Sequence, residues 1–200
     1  MTASSPALRP LVLGSTSRYR RELLERLRLP FEVCAPDVDE TPQPGEAPAT
    51  LAARLALAKA QAVARRFPSA IVIGSDQVAD LDGQPIGKPG THERAVEQLR
   101  AMSGRTIIFQ TALAVVCANS GFVAQDLAPV RVRFRALSDA EIENYLRAEQ
   151  PYDCAGSAKS EGLGISLLEA IESDDPTALI GLPLIRTSAM LRRAGLDPLA

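Results

Sequence analysis

Ala70-Ile71-Val72-Ile73-Gly74 is apolar without a break, and a short run of that kind reads as a central strand buried on both faces. It delivers Ser75-Asp76-Gln77 to the strand end. Leu11-Val12-Leu13 reads as a second buried strand. It is followed by the turn Gly14-Ser15-Thr16-Ser17-Arg18-Tyr19-Arg20-Arg21 and by an amphipathic helix from around Arg20, with Leu23, Leu24 and Leu27 at helical spacing. Further along, Phe31-Glu32-Val33-Cys34 is a strand, and Thr50 caps a long helix to about Arg66. Asp82-Gly83 makes a hairpin turn leading to Ile86-Gly87-Lys88-Pro89. Thr91 caps a helix that runs to about Met102 and is stopped by Ser103-Gly104. Residues Arg105 to Cys117 and Phe122 to Arg135 form a long antiparallel hairpin across Asn119-Ser120-Gly121. Ser138 with Glu141 is a capping box for a helix to about Arg147, and Gly156 to Gly164 is an irregular, ligand-facing loop. Asp174-Asp175-Pro176 opens a turn, and Pro183 occupies the first turn of a last helix that runs to about Ala194 and is stopped by Gly195. This alternation with one long hairpin predicts a mixed α/β sheet with flanking helices.

Composition narrows the function. A length of 200 residues predicts one domain spanning 1–200. Nearly half the residues are apolar, yet no stretch approaches the roughly 20 needed to span a bilayer, so no membrane partner is expected. Met1 to Pro10 lacks the pattern of a secretory signal, which predicts cytoplasmic residence. Cys34, Cys117 and Cys154 are odd in number and widely separated, as reduced thiols are. The 22 basic and 24 acidic side chains nearly cancel, which argues against a nucleic-acid footprint and leaves room for a small phosphorylated ligand.

The turn after the first strand is a natural anion site, because free backbone N–H groups and the helix dipole favour a phosphate there. Arginines at that end oppose the dipole unless an anion joins them. The plainer alternative is a helix capped by Ser17 with solvated arginines paired to Glu22 or Glu25. The single histidine, His92, reads as a solvated side chain at a helix start. That leaves a Ser-His-Asp hydrolase or a histidine metal site poorly supported. Neither Gly-x-x-x-x-Gly-Lys-Ser/Thr nor Gly-x-Gly-x-x-Gly occurs. What remains is carboxylates and cations. Asp76 at a strand end projects into a cleft or caps a turn; Asp37, Asp39 and Glu40 lie in a proline-bounded loop and, with Asp76, could hold a magnesium ion or simply be solvated. Lys88, Arg54, Lys59 and Lys159 have ordinary surface roles as their alternative. Together these groups fit metal-assisted hydrolysis of a phosphoanhydride.

These motifs, in order, resemble the Maf family of nucleoside triphosphate pyrophosphatases along essentially the whole chain. Ser15-Thr16-Ser17-Arg18-Tyr19-Arg20-Arg21 is similar to the family's opening signature. Asp39-Glu40-Thr41, Arg54, Lys59, Ser75-Asp76-Gln77, Gly87-Lys88-Pro89 and Ser103-Gly104-Arg105 follow where expected. The resemblance implies an inosine-triphosphatase-like α/β fold with a cleft between two lobes, and hydrolysis of nucleoside triphosphates to monophosphate and pyrophosphate. It also implies a divalent cation, magnesium or manganese, held by Glu40 and Asp76, and a homodimer. Asp76 is the implied proton acceptor, with Glu40, Lys59 and Lys88 as catalytic partners. Ser15, Ser17, Arg18, Tyr19, Arg20, Arg54, Gln77, Lys159 and Glu161 are implied to bind substrate. Within the family, Ser75-Asp76-Gln77-Val78 and the stretch Tyr152 to Gly162 resemble the bacterial branch that prefers 7-methyl-GTP, with Tyr19, Gln77 and Glu161 at the specificity positions. That branch commonly carries tryptophan at the place of Tyr19. The resemblance leaves two alternatives, a pyrophosphatase for other canonical or modified nucleotides and a nucleotide-sensing regulator of cell division.

Overall fold

The computed structural model describes residues 9–200, so most of the segment read above for a secretory signal lies outside the described residues. One seven-stranded mixed sheet organises the chain, with β1 (Leu11–Gly14), β2 (Glu32–Val33), β3 (Ile71–Leu81), β5 (Thr106–Cys117), β6 (Phe122–Phe134) and β7 (Leu168–Glu172) in the order β2-β1-β3-β5-β6-β7. Strand β4 (Gln84–Ile86) folds back on the far end of β3. β1 runs parallel to both β2 and β3, whereas β3, β5, β6 and β7 pair antiparallel.

The period-2 alternation of the strands sorts their side chains between helices. Leu11, Leu13, Ile71, Ile73, Leu113 and Val115 meet α1 (Arg18–Glu25) and α5 (Leu184–Arg193) on one face. Val12, Val72, Ala112 and Ala114 meet α2 (Pro48–Ala64) on the other. Toward the antiparallel end, Phe109, Val130, Val132 and Phe134 pack with α3 (His92–Met102) and α4 (Asp139–Glu149). A fully buried Leu, Ile or Phe side chain contributes roughly 1.5–3 kcal/mol, so these layers dominate the stability of the fold.

One detail of register makes the site. β1 pairs with β3 only as far as Gly14↔Gly74, and β4 joins β3 only from Ala79 onward. Ser75 to Val78 therefore have a partner on the β5 side and an open edge on the other. Asp76 and Gln77, being consecutive, leave opposite faces of the strand at that opening.

Several expectations need correction. β3 does not end at Gly74 but continues to Leu81, so Ser75-Asp76-Gln77 lie inside a strand, where pairing with β5 supports their backbone. Helix α2 starts at Pro48, and Thr50 is within its first turn rather than at its cap. Ala47 takes the cap position without a side-chain bond, and proline at the first helical position has no N–H to leave unpaired. Helix α1 begins at Arg18, two residues early, and Pro183 caps α5 instead of opening its first turn. Strand β7 was not foreseen: it is a half-exposed edge without a β-branched run, and Arg131–Glu172 and Arg133–Glu169 ion pairs join it to β6. The capping box at Ser138 and the Thr91 cap are present.

Candidate active site

A cleft of about 650 Å³ opens at the unpaired stretch of β3. Its walls bring together Ser15, Ser17, Arg18, Tyr19 and Arg20 from the β1–α1 junction, Glu40 from the acidic loop and Lys59 from α2. Asp76 and Gln77 of β3, Lys88 after β4 and Glu161 of the long loop complete the set expected from sequence. Asp76 lines the same cleft as Ser15 and Arg18, although Ser15 and Asp76 are 61 positions apart in the chain.

At the centre, Lys59 Nζ sits 2.6 Å from Asp76 Oδ1 and 2.9 Å from Glu40 Oε1. Lys59 and Asp76 are buried, whereas Glu40 reaches in from solvent. The pair forms because α2 lies very close to the sheet. A Cβ on Gly74 would come within 2.3 Å of Ala56 O and 2.6 Å of Ala60 N, so only glycine lets that turn of helix approach. Lys59 is then one residue from the contact, directed along the strand to Asp76.

Ser17 caps α1 by accepting from the N–H of Arg20 at 3.4 Å, and its own N–H donates to Ser15 Oγ at 3.1 Å. Both readings of this turn therefore hold in part, since Arg21 also pairs with Glu25 at 3.0 Å as a surface arginine would. Arg18 and Lys88 form no ion pair among the described residues, and both line the cleft. Arg20 is anchored by Nε donating to Gly181 O at 2.9 Å. Burial lowers its pKa, and the nearby Asp76 and Glu40 carboxylates work in the opposite direction.

Tyr19 presents its ring on the cleft wall and is not packed into the core near Phe31. Arg18 lies 4.7 Å from the ring centroid and donates to the phenol at 2.7 Å. Cys154 approaches the same oxygen at 3.8 Å. Burial pushes the Cys154 thiol up to about 11, so it stays protonated at neutral pH and is no nucleophile.

Two expected substrate contacts are not on the cleft wall. Arg54 is held by Glu46 through two bonds of 2.6 and 2.8 Å, and it also donates to Thr41 O, which pins the acidic loop to α2. Lys159 binds Glu149 at 2.6 Å, while Leu163 N–H donates to the other Glu149 oxygen at 2.8 Å. This clamp fixes the loop carrying Glu161 to α4. Of the loop's three carboxylates only Glu40 lines the cleft, and Asp39 turns back to the N–H of Thr41 at 2.9 Å. His92, read as solvated, is only partly exposed: its ring nitrogens bond Tyr152 OH at 3.0 Å and Glu143 at 3.1 Å, which ties the start of α3 to α4.

Sequence reasoning missed the segment Ala178 to Gly181. Its apolar side chains carry no functional signal, yet its carbonyls hold Gln77, Thr111, Ser75 and Arg20. Backbone acceptors leave no trace in residue type.

The family profile described as Maf-like protein matches residues 10–194. The chain belongs to the Maf family. A relative from Polaromonas sp. (strain JS666), named 7-methyl-GTP pyrophosphatase, is 75% identical over 97% of this chain and 89% of its own length. Another of that name, from Albidiferax ferrireducens, is 67% identical over 98% of both chains. Among solved structures, the Staphylococcus aureus Ham1 protein is similar with a TM-score of 0.47 and 16% identity, over 64% of this Maf-family chain and 72% of that one. Among the described residues, no helix is long and apolar enough to cross a membrane.

Proposed function

We propose that this chain hydrolyses 7-methyl-GTP to 7-methyl-GMP and pyrophosphate and so removes a modified nucleotide. The reading is carried by the buried Asp76, paired with Lys59 and facing unpaired cations across one cleft. Two relatives that share most of its sequence bear that activity in their names.

In this reading the triphosphate lies along the open edge of β3, with Arg18, Lys88 and the Ser15–Ser17 turn taking its oxygens. Water attacks the α-phosphorus and gives its proton to the Asp76 carboxylate. The bond from that phosphorus to the bridging oxygen breaks, and pyrophosphate leaves with the electron pair. Lys59 holds Asp76 in place and opposes the growing phosphoryl charge, which positioning and electrostatics must stabilise in such reactions.

The donor set fits a cation that arrives with its substrate. Magnesium binds through one or two carboxylates together with substrate phosphates and water, and Glu40 and Asp76 supply two such carboxylates on either side of Lys59. No group of three or more potential ligands occurs among the described residues, which argues against a resident ion held by protein alone. When bound, magnesium or manganese would neutralise phosphate charge and polarise the scissile anhydride.

For the base, Tyr19 offers a face to the cationic ring of 7-methylguanine, a contact of about 0.5–2 kcal/mol. Glu161 accepts from the N1 and N2 donors. Cytoplasmic residence belongs to the same reading and is supported by three free cysteines. So does a homodimer, for which the exposed Leu163, Ile165 and Ile171 beside edge strand β7 are the supporting surface.

The test is pyrophosphate release from 7-methyl-GTP, GTP, dTTP and UTP at fixed salt, with magnesium, manganese or chelator. A large preference for the methylated nucleotide, lost on chelation, is expected. Equal rates for GTP and 7-methyl-GTP would overturn the specificity.

A further inference from the structure

Gln77 leaves β3 on the face opposite Asp76, and its amide is held in one orientation. Nε2 donates toward Thr111 Oγ1 at 2.9 Å, Ala178 O at 3.0 Å and Leu179 O at 2.9 Å. The Thr111 hydroxyl gives its own hydrogen to Ala178 O at 2.9 Å, so toward Gln77 it can only accept. Turning the amide over would set its oxygen against two carbonyls that carry no hydrogen, leaving all three unsatisfied. Oε1 therefore points away from that nest, and no donor among the described residues reaches it. Gln77 lines the cleft, which makes Oε1 a fixed acceptor there.

The nest is itself held from behind. Asp175 is 1% exposed and has no cation partner among the described residues; its two oxygens accept from Thr177 Oγ1 at 3.1 Å and from the N–H of Arg186 in the first turn of α5 at 3.0 Å. Thr177 Oγ1 also bonds Leu182 O and the N–H of Leu184, and the N–H of Ala178 donates to Asp175 O at 3.0 Å. The carbonyls of Ala178 and Leu179 are thus placed by a buried buckle spanning Asp175 to Leu184.

We infer that this buckle and Thr111 position Gln77 as a permanent acceptor against the imidazole edge of a purine, where it turns away bases that carry an N7 lone pair. The inference rests on the proposed function and supplies its means of discrimination. With Glu161 on the N1 and N2 donors, Gln77 is left the opposite edge. Unmodified guanine has an N7 lone pair and O6 on that edge, so two acceptors would face each other without a proton between them. Alkylation at N7 removes the lone pair and makes the ring positive, so Oε1 then meets polarised C–H groups and favourable charge.

The experiment uses 7-deaza-GTP, which keeps the donor edge of guanine but has a C–H in place of N7 and no positive charge. kcat/KM for pyrophosphate release is measured with 7-methyl-GTP, GTP and 7-deaza-GTP on the intact protein. Wild type is expected to prefer 7-deaza-GTP over GTP by about tenfold, the ratio that corresponds to 1.4 kcal/mol. In Gln77→Met, which keeps the length but lacks the oxygen, that ratio falls to near one. Asp175→Ala lowers the ratio along with stability, and Asp175→Asn, whose single amide oxygen can still accept from the Arg186 N–H while its NH2 faces the Thr177 hydroxyl oxygen, recovers part of the ratio. Equal turnover of GTP and 7-deaza-GTP by an active wild-type enzyme overturns the inference while leaving the proposed function standing. No pyrophosphate from any of the three removes the proposed function itself.

Discussion

Asp76, the proton acceptor of the proposed reaction, is 7% exposed and has the Lys59 ammonium 2.6 Å away. Asp76→Asn keeps the shape of the side chain and leaves Lys59 with Glu40, so the fold is expected to survive. Turnover should fall by about 10²–10⁴, the usual contribution of a positioned acid or base. Steady-state pyrophosphate release with circular dichroism as the folding check decides this, and near-normal kcat would remove Asp76 from the role. At this scale the sequence was informative wherever chemistry lives in side chains: the hydroxyls and arginines after β1, Lys59, Asp76 and Lys88 all reach one cleft. It was less informative where one side chain has two possible partners. Arg54 and Lys159 are cations in the right motifs, but Glu46 and Glu149 bind them, and neither carboxylate stands in any pattern that spacing would pair with them.

Between elements, the separation of α2 from β3 decides whether Lys59 meets Asp76. Gly74→Ala would press a methyl group into the backbone of Ala56 and Ala60, which cannot yield as a side-chain tip can. Destabilisation of about 3 kcal/mol or more is expected, at or above the upper end for overpacking, with turnover reduced further as Lys59 is displaced. Gly14→Ala is the comparison, since its Cβ would meet Ile73 O at 3.2 Å and the Val63 methyl at 3.3 Å, and its cost should be smaller. Equal urea midpoints for the two variants would contradict this account of α2 docking. A second joint, Arg54 with Glu46, ties the Glu40 loop to the same helix. The Arg54 bond, with that from Gln43 N–H, lowers the Glu46 pKa from 4.5 to about 2. A depressed carboxylate stabilises fully above its unfolded value, so the contribution is present above pH about 4.5 and is lost as the pH falls toward 2. Urea unfolding of wild type and Glu46→Gln should therefore differ at pH 7, narrow as the pH falls below about 4.5 and converge only below about pH 2; a gap independent of pH would refute the clamp. Helix caps and the β5–β6 hairpin were legible because Ser138, Thr91 and the Asn119-Ser120-Gly121 turn carry local signals. Strand β7 was not, because an exposed edge is stabilised by what lies beside it.

Over the whole molecule, the open edge of β3 separates a parallel part, β2-β1-β3 with α1 and α2, from β4 and the antiparallel part with α3 and α4. No pattern of hydrophobicity marks this opening, since it arises from where β1 stops and β4 begins to pair. Its consequence is that cleft residues come from both parts: Ser15, Arg18 and Lys59 from the first, Lys88 and Glu161 from beyond the hairpin. A triphosphate across the opening would therefore tie together segments that no strand pairing joins there. An α,β-methylene analogue of 7-methyl-GTP, which cannot be cleaved at the scissile position, should stabilise the folded state by about 2.7 kcal/mol at one hundred times its Kd. For a chain of this length that is a rise in Tm of roughly 5–10 °C. The rise should shrink when magnesium is chelated, because the triphosphate would then meet Glu40 and Asp76 without the cation between them, and it should shrink again in Lys88→Ala. Differential scanning calorimetry with and without chelator reads both effects. A Tm indifferent to the analogue at saturating concentration would show that the opening is not where the polyphosphate lies.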